Sequence, residues 1–398
     1  MNKTAIRPSR APAVAIIGGG LIGLAIAWRL ARRGHRVTVY EEATPGAGAS
    51  RAAAGMLSVV AEAEPPDPSF FELCRESRRR WPAFAAELEA ATGQELDLRE
   101  EGTLLVARTE SDEAMLAHLA TAHRGDGTLL ALDRKDWRRL EPGLAADTRA
   151  VYLAPEDGAV DNRAAIDALA QAVLRAGGEL KASAHVTRIA HETGRVIGIE
   201  RSGDREHADV VVIAAGIGTS HILSASGLGD LAAPIAPVKG QLIALQDDAQ
   251  RPVIRQVVRG ERAYLVPRSS GRLIVGATSE PGIGDLELTA AARDALFAAG
   301  VELVPALAAL PIIDHWSGLR PHLAGGLPMI GAAGPQGLIA AIGHYRNGVL
   351  LTPITADLVA GLITGELDAS ERALLEAFSP ARLSASARAD KGAAARTL

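Results

Sequence analysis

The stretch AVAIIGGGLIGLAIAWRLARRGHRVTVYE, residues 13–41, decides the fold. An apolar run, Val14 to Ile17, leads into three glycines with the spacing G-x-G-x-x-G, at Gly18, Gly20 and Gly23. Because glycine has no Cβ, such a turn lets a pyrophosphate approach backbone N–H groups at the start of a helix. The order of strand, turn, helix and second strand therefore predicts a site for an ADP-containing dinucleotide.

The helix and the second strand complete this predicted site. A helix is expected from Leu21 to about Arg33, and its N-terminus would direct unpaired N–H donors at the phosphates without a lysine or arginine. The next strand, residues 36–40, delivers Glu41 to the place where a carboxylate accepts the hydroxyl protons of a ribose. A membrane span is disfavoured for the same apolar stretch, because it contains clustered glycines and continues into charged residues.

Composition narrows the possible functions. The chain has 398 residues, 48% of them hydrophobic, which suggests two or three domains. A net charge of −5 offers no electrostatic footprint for nucleic acid. The single cysteine, Cys74, excludes an internal disulfide and a cysteine-rich metal site, and we predict no bound metal. Residues 1–12 lead into the first strand without a separate apolar segment, so we expect a cytoplasmic protein.

Later segments predict a second architecture beside the nucleotide fold. Residues 161–176 are typical of a helix capped by Asp161 or Asn162, and Ala208 to Gly216 is typical of a buried strand in a parallel sheet. From Pro234 to Ser279, strands alternate with short turns, which predicts an antiparallel sheet. We therefore expect an α/β protein, α+β overall, with a doubly wound parallel-sheet domain and a discontinuous domain of antiparallel sheet plus helices.

Several local features are also predicted away from the glycine motif. Cys74 falls on an apolar helix face, so we expect it to be a core residue rather than a nucleophile or a covalent attachment point. The other predictions are a helix from Phe70 to Leu88 with a kink or restart at Pro82, a short helix capped by Ser50, two strands between residues 185 and 200 before the strand at 208–216, a strand at 253–258, a helix at 349–364 and a disordered tail from Ser379.

Seven motifs follow one another between residues 14 and 353, and the resemblance that they carry spans about residues 13–375. They are VAIIGGGLIGLAIAWRLARRGHRVTVYE (14–41), GASRAAAGML (48–57), PVKGQ (237–241), YLVPR (264–268), GRLIVGAT (271–278), WSGLRP (316–321) and GHYRNGVLLTP (343–353). Together they resemble the flavin-dependent amine and amino-acid oxidases of the D-amino acid oxidase superfamily, and within it the glycine oxidases of bacterial thiamine biosynthesis. The later motifs are far more specific than the glycine fingerprint, which many unrelated nucleotide folds share.

The resemblance implies FAD, bound without a covalent link, and the chain contains one complete glycine fingerprint with no second one for NAD(P)H. It implies an FAD-binding domain of residues 13–65, 150–225 and 320–378 and a substrate domain of residues 66–149 and 226–319, followed by a tail at 379–398. The implied cofactor contacts are Gly18, Gly20, Leu21, Ile22, Gly23, Glu41, Glu42, Ala49, Ser50, Ala54, Gly55, Met56, Val186, Ala215, Gly216, His344, Arg346, Asn347, Gly348, Val349 and Leu350.

Three side chains are implied to meet the substrate. Arg320 of WSGLRP would clamp the substrate carboxylate, because a buried carboxylate needs a bidentate cation to offset its desolvation. Tyr264 of YLVPR would donate a phenolic hydrogen bond to the same group, and Arg346 would lie near the substrate or face structural carbonyls. Without the resemblance, Arg320 would suggest an ion pair at the surface or between domains, and Tyr264 a packing residue at the core edge.

The implied reaction is the oxidative deamination of glycine and other small amines, such as sarcosine and D-alanine. The substrate Cα–H leaves as a hydride to flavin N5, the imine serves thiamine thiazole synthesis or is hydrolysed to glyoxylate and ammonia, and O2 reoxidises the flavin to give H2O2. A dehydrogenase of D-amino or N-methyl amino acids that reduces a quinone or partner protein is the alternative, and a flavin-binding subunit without turnover is the third reading. The resemblance also implies a homo-oligomer. We expect no nucleic-acid partner because of the net charge of −5, and no membrane partner because no amphipathic anchor is evident in the sequence.

Overall fold

The computed structural model of the protein describes residues 12–62, 67–123, 127–231 and 234–381. The helices are α1 (Leu21–Arg32), α2 (Ala49–Ala52), α3 (Pro68–Thr92), α4 (Glu110–Ala122), α5 (Arg134–Leu140), α6 (Asn162–Arg175), α7 (Thr219–Ala225), α8 (Ala290–Leu303), α9 (Thr352–Thr364) and α10 (Ala369–Ala377). The strands are β1 (Ala13–Ile17), β2 (Arg36–Tyr40), β3 (Met56–Leu57), β4 (Thr103–Ala107), β5 (Leu130–Leu132), β6 (Ala150–Ala154), β7 (Gly158–Ala159), β8 (Glu179–Lys181), β9 (Val186–Glu192), β10 (Arg195–Arg201), β11 (Asp204–His207), β12 (Val210–Ile213), β13 (Ile235–Gln246), β14 (Val257–Arg259), β15 (Tyr264–Pro267), β16 (Arg272–Gly276), β17 (Glu280–Pro281), β18 (Ile312–Leu323), β19 (Met329–Ala332) and β20 (Leu338–Ile342).

A six-stranded sheet carries the glycine motif. Its strand order is β19-β20-β12-β1-β2-β8, and all neighbours are parallel except β19 and β20. Strand β1 lies between β12 and β2, so its backbone is hydrogen-bonded on both sides. The predicted parallel sheet is confirmed, as is the helix over residues 161–176, where the Asp161 carboxylate caps α6 by accepting from the N–H groups of Arg163 and Ala164.

The two faces of this sheet are covered by different elements. Val14 and Ile16 of β1 pack toward α1, α3, α6 and α9, whereas Ala15 and Ile17 pack toward α7 and a three-stranded antiparallel sheet of β9, β10 and β11. Successive side chains of a strand point to opposite faces. Because both faces of β1 are buried, the strand is apolar at every position.

A nine-stranded sheet forms the second architecture. Its order is β17-β13-β16-β15-β14-β4-β6-β5, with β18 paired to β13, and only β14 and β4 are parallel neighbours. Leu265 and Val275 pack with Leu296 of α8 on one face, whereas Tyr264 and Val266 belong to a cluster on the opposite face. The predicted antiparallel sheet is confirmed, and its strand alternation turns Tyr264 away from α8.

Some local predictions were wrong. Helix α3 does not restart at Pro82 but continues through it. The proline removes only one N–H donor, and the rest of this long helix stays packed on the core. The two strands predicted between residues 185 and 200 are β9 and β10. A third strand that was not predicted, β11, pairs with β10 and precedes β12 in the chain. The strand predicted at 253–258 is reduced to β14, the helix predicted at 349–364 begins only at Thr352, and the long strand β18 was not predicted. Of the tail predicted to be disordered, residues 382–398 lie outside the described part of the chain, as do residues 1–11.

Gly23 tests how tightly α1 must approach β1. A Cβ at this position would overlap the carbonyl oxygen of Gly18 and press on Ile16. Gly23→Ala should therefore lower the free energy of unfolding by about 2 kcal/mol, because overpacking outweighs the gain in helix propensity of about 1 kcal/mol. Urea unfolding measures this effect. Gly284→Ala is the control, since its Cβ would meet only Pro237 at 3.8 Å, and equal stability of the two variants would contradict the packing described.

Candidate active site

A cavity of about 810 Å³ runs from the glycine turn after β1 to strands β15 and β18. Most of the predicted cofactor residues line it, together with all three predicted substrate residues: Gly18, Gly20, Ile22, Glu41, Glu42, Ala49, Ser50, Ala54, Gly55, Met56, Val186, Ala215, Gly216, Tyr264, Arg320, His344, Arg346, Gly348 and Val349. Leu21, Gly23, Asn347 and Leu350 are absent from the lining that the described residues form. The fold thus brings distant motifs to one cavity.

The glycine turn leaves no room for side chains. Gly18 has a φ of 109°, and a Cβ there would lie 3.0 Å or less from backbone atoms of Ala214 and Ala215. At Gly20 an added Cβ would lie 2.9 Å from the Ser50 hydroxyl oxygen. The first turn of α1 contains no acidic side chain of its own, and this helix end directs its partial positive charge at the cavity.

Ser50 acts on a different helix from the one predicted. It lies within α2, whose N-cap residue is Gly48, so the prediction that it caps its own short helix was wrong. Its Oγ instead accepts a hydrogen bond from the Leu21 N–H of α1, at 3.0 Å. One of the unpaired donors at the start of α1 is thereby satisfied by a residue 29 positions away, which ties α2 to the glycine turn.

Glu41 lies at the end of β2, as the motif predicts. Its Oε2 accepts from the Gly19 N–H at 2.7 Å, and its Oε1 accepts from the Ala43 N–H at 3.0 Å. Two backbone donors therefore hold the carboxylate at the cavity wall, beside the helix end. A side-chain-free turn, a helix N-terminus and a fixed carboxylate fit the pyrophosphate and the ribose of an ADP-containing dinucleotide.

Arg320 and Tyr264 meet at the other end of the cavity. The Arg320 guanidinium lies over Gly240, where an added Cβ would be 2.5 Å from both Nη atoms, and its Nη1 donates to the Thr278 carbonyl at 3.2 Å. The Tyr264 ring lies over Gly276, where an added Cβ would be 2.5 Å from the hydroxyl oxygen. These two glycines, in the PVKGQ and GRLIVGAT motifs, open the sheet surface for both side chains, a role that the sequence analysis missed.

The electrostatics of this end suit an anion. Burial raises the pKa of Tyr264 to about 12, although the neighbouring Arg320 charge lowers it in part. The phenol therefore stays protonated at neutral pH and keeps a hydrogen to donate. A guanidinium and a neutral phenol that converge at one place form a binding site typical of a carboxylate.

The GHYRNG segment reaches the same cavity after β20. His344 is buried, and burial lowers its pKa to about 3, so its ring is neutral and contacts the Thr355 hydroxyl at 3.1 Å. The Arg346 guanidinium lies 5.4 Å from the ring centre of Tyr345. His344 is thus a structural wall residue, while Arg346 adds positive charge to the cavity.

Arg268 of the YLVPR motif supports the cavity wall from behind. Its side chain is buried, which lowers its pKa to about 10, so it remains a cation at neutral pH. One Nη atom donates to the Ala54 carbonyl at 2.5 Å, and the same atom would lie 2.6 Å from a Cβ added to Gly55. The buried cation therefore fixes the turn that places Ala54 and Gly55 in the wall, which sequence reasoning missed because it depends on a contact across 214 residues.

An ion pair between Glu62 and Arg259 also lines the cavity and was not predicted. The Glu62 Oε1 and Arg259 Nη1 atoms are 3.3 Å apart. Arg259 lies directly opposite Tyr264 in the pairing of β14 and β15. The alternation of residues in these strands does not by itself show which residues face each other. Only the strand register places Arg259 opposite Tyr264.

In the part of the chain that is described, no thiol site or metal site accompanies this cavity. Cys74 is a buried core residue of α3, as predicted, and burial raises the pKa of its thiol. Within the described ranges, no three His, Cys, Asp or Glu side chains are grouped to hold a metal ion. None of the helices described above combines the length and apolar character needed to cross a bilayer.

The family model of FAD-dependent oxidoreductases, DAO, matches residues 13–362. The chain belongs to this family. FAD is therefore its cofactor, and the prediction of an FAD-dependent oxidoreductase is confirmed. In this DAO-family chain the glycine turn and the α1 N-terminus would hold the FAD pyrophosphate, and Glu41 would hold a ribose, while the contacts predicted for individual residues stay predictions.

Similar proteins agree with this assignment. The chain is 37% identical over 355 residues to a glycine oxidase of Geobacillus kaustophilus, covering 88% of this chain and 92% of that protein. It is 38% identical over 374 residues to a bifunctional protein ThiO/ThiG of Synechocystis, covering 93% of this chain but only 54% of that relative, so it spans about half the relative's length. The crystal structure of glycine oxidase from Geobacillus kaustophilus matches with a TM-score of 0.84 and 35% identity over 91% of this chain and 96% of that chain. The predicted α/β fold of the DAO type is confirmed.

The Glu41 carboxylate provides a test of the cofactor site. Glu41→Ala should raise the Kd for FAD by about 10-fold or more, because it removes the charged acceptor of ribose hydroxyl bonds. Titration of flavin-free protein with FAD, followed by flavin fluorescence, measures this change. Glu192→Ala, which alters an exposed carboxylate outside the cavity, is the control, and an equal Kd for both variants would remove Glu41 from the site.

Proposed function

We propose that this protein is an FAD-dependent oxidase of glycine and other small amines, such as sarcosine and D-alanine. The observation that carries the proposal is the convergence of Arg320 and Tyr264 over two glycines in the cavity that holds the dinucleotide cradle. The names of the similar proteins support the same substrate class. FAD, when bound, supplies the acceptor for the substrate hydride and passes the electrons to O2, which yields H2O2.

The chain's own residues position and desolvate the substrate. The Arg320 guanidinium pairs with the substrate carboxylate, and the Tyr264 hydroxyl donates to the same group. A carboxylate held by two fixed donors restricts the orientation of the attached Cα, which lowers the entropic part of the barrier. His344 transfers no proton in this scheme, because burial keeps its ring neutral and its ring nitrogen contacts Thr355.

The proposal includes the fate of the product and the setting of the enzyme. The imine formed from glycine is hydrolysed by water to glyoxylate and ammonia or supplied to thiazole synthesis for thiamine, a role supported by the likeness to one half of the ThiO/ThiG relative. We further propose a cytoplasmic homo-oligomer with the FAD-binding and substrate domains bounded as predicted from the sequence.

Arg320→Ala tests the carboxylate clamp. The KM for glycine should rise by about 100-fold or more, because the variant leaves a desolvated carboxylate without its cation. Peroxide formation under air, measured over a range of glycine concentrations, reports both the turnover and the KM. Arg293→Ala on the outer surface of α8, where Arg293 pairs with Asp294, is the control.

The same assay separates the alternatives. An unchanged KM in Arg320→Ala would remove this residue from the site. Reduction of an artificial dye by the wild-type protein with glycine, without peroxide under air, would indicate a dehydrogenase. Lack of turnover with glycine, sarcosine and D-alanine in both assays would contradict the proposed substrate class.

A further inference from the structure

The Glu62–Arg259 ion pair lies inside the substrate end of the cavity. Its atoms are 3.3 Å apart, and the side chains are 12% exposed for Glu62 and 26% exposed for Arg259. Both residues line the cavity, so the exposed part of the pair faces the space that a ligand would fill. Neither residue belongs to the carboxylate clamp proposed above.

The strand register places this pair next to the clamp. Arg259 of β14 is directly opposite Tyr264 of β15, and directly opposed residues of antiparallel strands project their side chains on the same face. The charges of Glu62 and Arg259 both act on the Tyr264 phenol, where the first raises and the second lowers its pKa. A carboxylate bound at Tyr264 and Arg320 therefore lies within the field of both groups.

The backbone that precedes Glu62 is held by a buried carboxylate. Asp157 is fully buried and accepts three backbone hydrogen bonds, from the N–H groups of Val59, Val60 and Ala61, at 2.7, 3.0 and 3.2 Å. These bonds fix the backbone from which the Glu62 side chain reaches the Arg259 guanidinium.

The charges at this end set how many carboxylates a substrate can carry. Arg320 balances one carboxylate, Glu62 offsets the charge of Arg259, and Arg346 leaves further positive charge in the lining. A second carboxylate, on the amine substituent or side chain, would meet the like charge of Glu62 in a partly desolvated space, where repulsion is stronger than in water. Arg346 adds the same charge whichever form of the pair is present, so it does not alter this comparison.

We propose that Glu62 is a specificity-determining residue that makes the cavity prefer amines with one carboxylate over amines with two. It does so by neutralising Arg259 and repelling a second anionic group. Without the charge of Glu62, the Arg259 guanidinium, with five N–H donors, becomes a site for a second carboxylate. The substrate class is then glycine and amines whose other substituents are hydrogen or uncharged groups, which rests on the proposed function.

The test compares sarcosine with N-(carboxymethyl)glycine, which differ by one carboxylate on the N-methyl carbon. In Glu62→Gln the ratio of kcat/KM for the dicarboxylate to that for sarcosine should rise by about 10-fold or more. In the double variant Glu62→Gln/Arg259→Gln the ratio should fall back toward the wild-type value. A purely structural role would impair both substrates alike, so a ratio that rises and then falls isolates the charge effect.

Two further variants keep the test decisive. Glu113→Gln, which breaks the Glu113–Arg149 pair outside the cavity, is the matched control and should leave the ratio unchanged. Arg259→Gln, which leaves Glu62 unpaired, should lower the ratio below the wild-type value and can be measured even if Glu62→Gln does not fold. An unchanged ratio in the folded cavity variants would overturn the role of Glu62 while glycine turnover persists. Wild-type protein that oxidises neither glycine nor sarcosine would overturn the proposed function instead.

Discussion

The rest of the structure depends on one close approach, at the turn after β1. Gly18, Gly20 and Gly23 each face atoms that leave no space for a Cβ, on the β12 turn, on Ser50 and on the Gly18 carbonyl itself. Because these groups are in contact, the start of α1, the α2 segment and the end of β2 with Glu41 meet at one end of the cavity. This geometry makes the N–H donors at the N-terminus of α1 an anion-binding site.

Glycines also shape the opposite end of the cavity, but there they make room for side chains. Gly240 and Gly276 remove side chains from the surface of the second sheet, so that the Arg320 guanidinium and the Tyr264 ring can lie across it. Arg268 fixes the wall segment from behind through the Ala54 carbonyl. Glycines therefore allow a close backbone contact at one end and open the sheet surface at the other, and hydrogen bonds fix the neighbouring segments. In the proposed reaction, this arrangement would position and desolvate a small amino acid without requiring a protein base.

Local features could be predicted from the sequence, and contacts across the fold could not. The β1–α1–β2 unit follows from glycine spacing and apolar patterning within 29 residues, and the orientation of Tyr264 follows from strand alternation. Strand β18 was missed because its pairing with β13 stabilises it. Since β13 lies more than 60 residues earlier in the chain, this pairing is not detectable from the local sequence pattern. The partner of Ser50 and the Glu62–Arg259 pair depend on register and packing for the same reason.

An anaerobic visible spectrum of the purified protein, taken before and after excess glycine and then after admission of air, tests the proposed oxidase activity most directly. We expect a flavin spectrum that bleaches with glycine and returns in air together with H2O2, because the proposed clamp presents the amine to the bound cofactor and O2 is the final acceptor. A flavin spectrum that glycine, sarcosine and D-alanine all leave unchanged would contradict the proposed activity, while the fold and the cofactor site would stand.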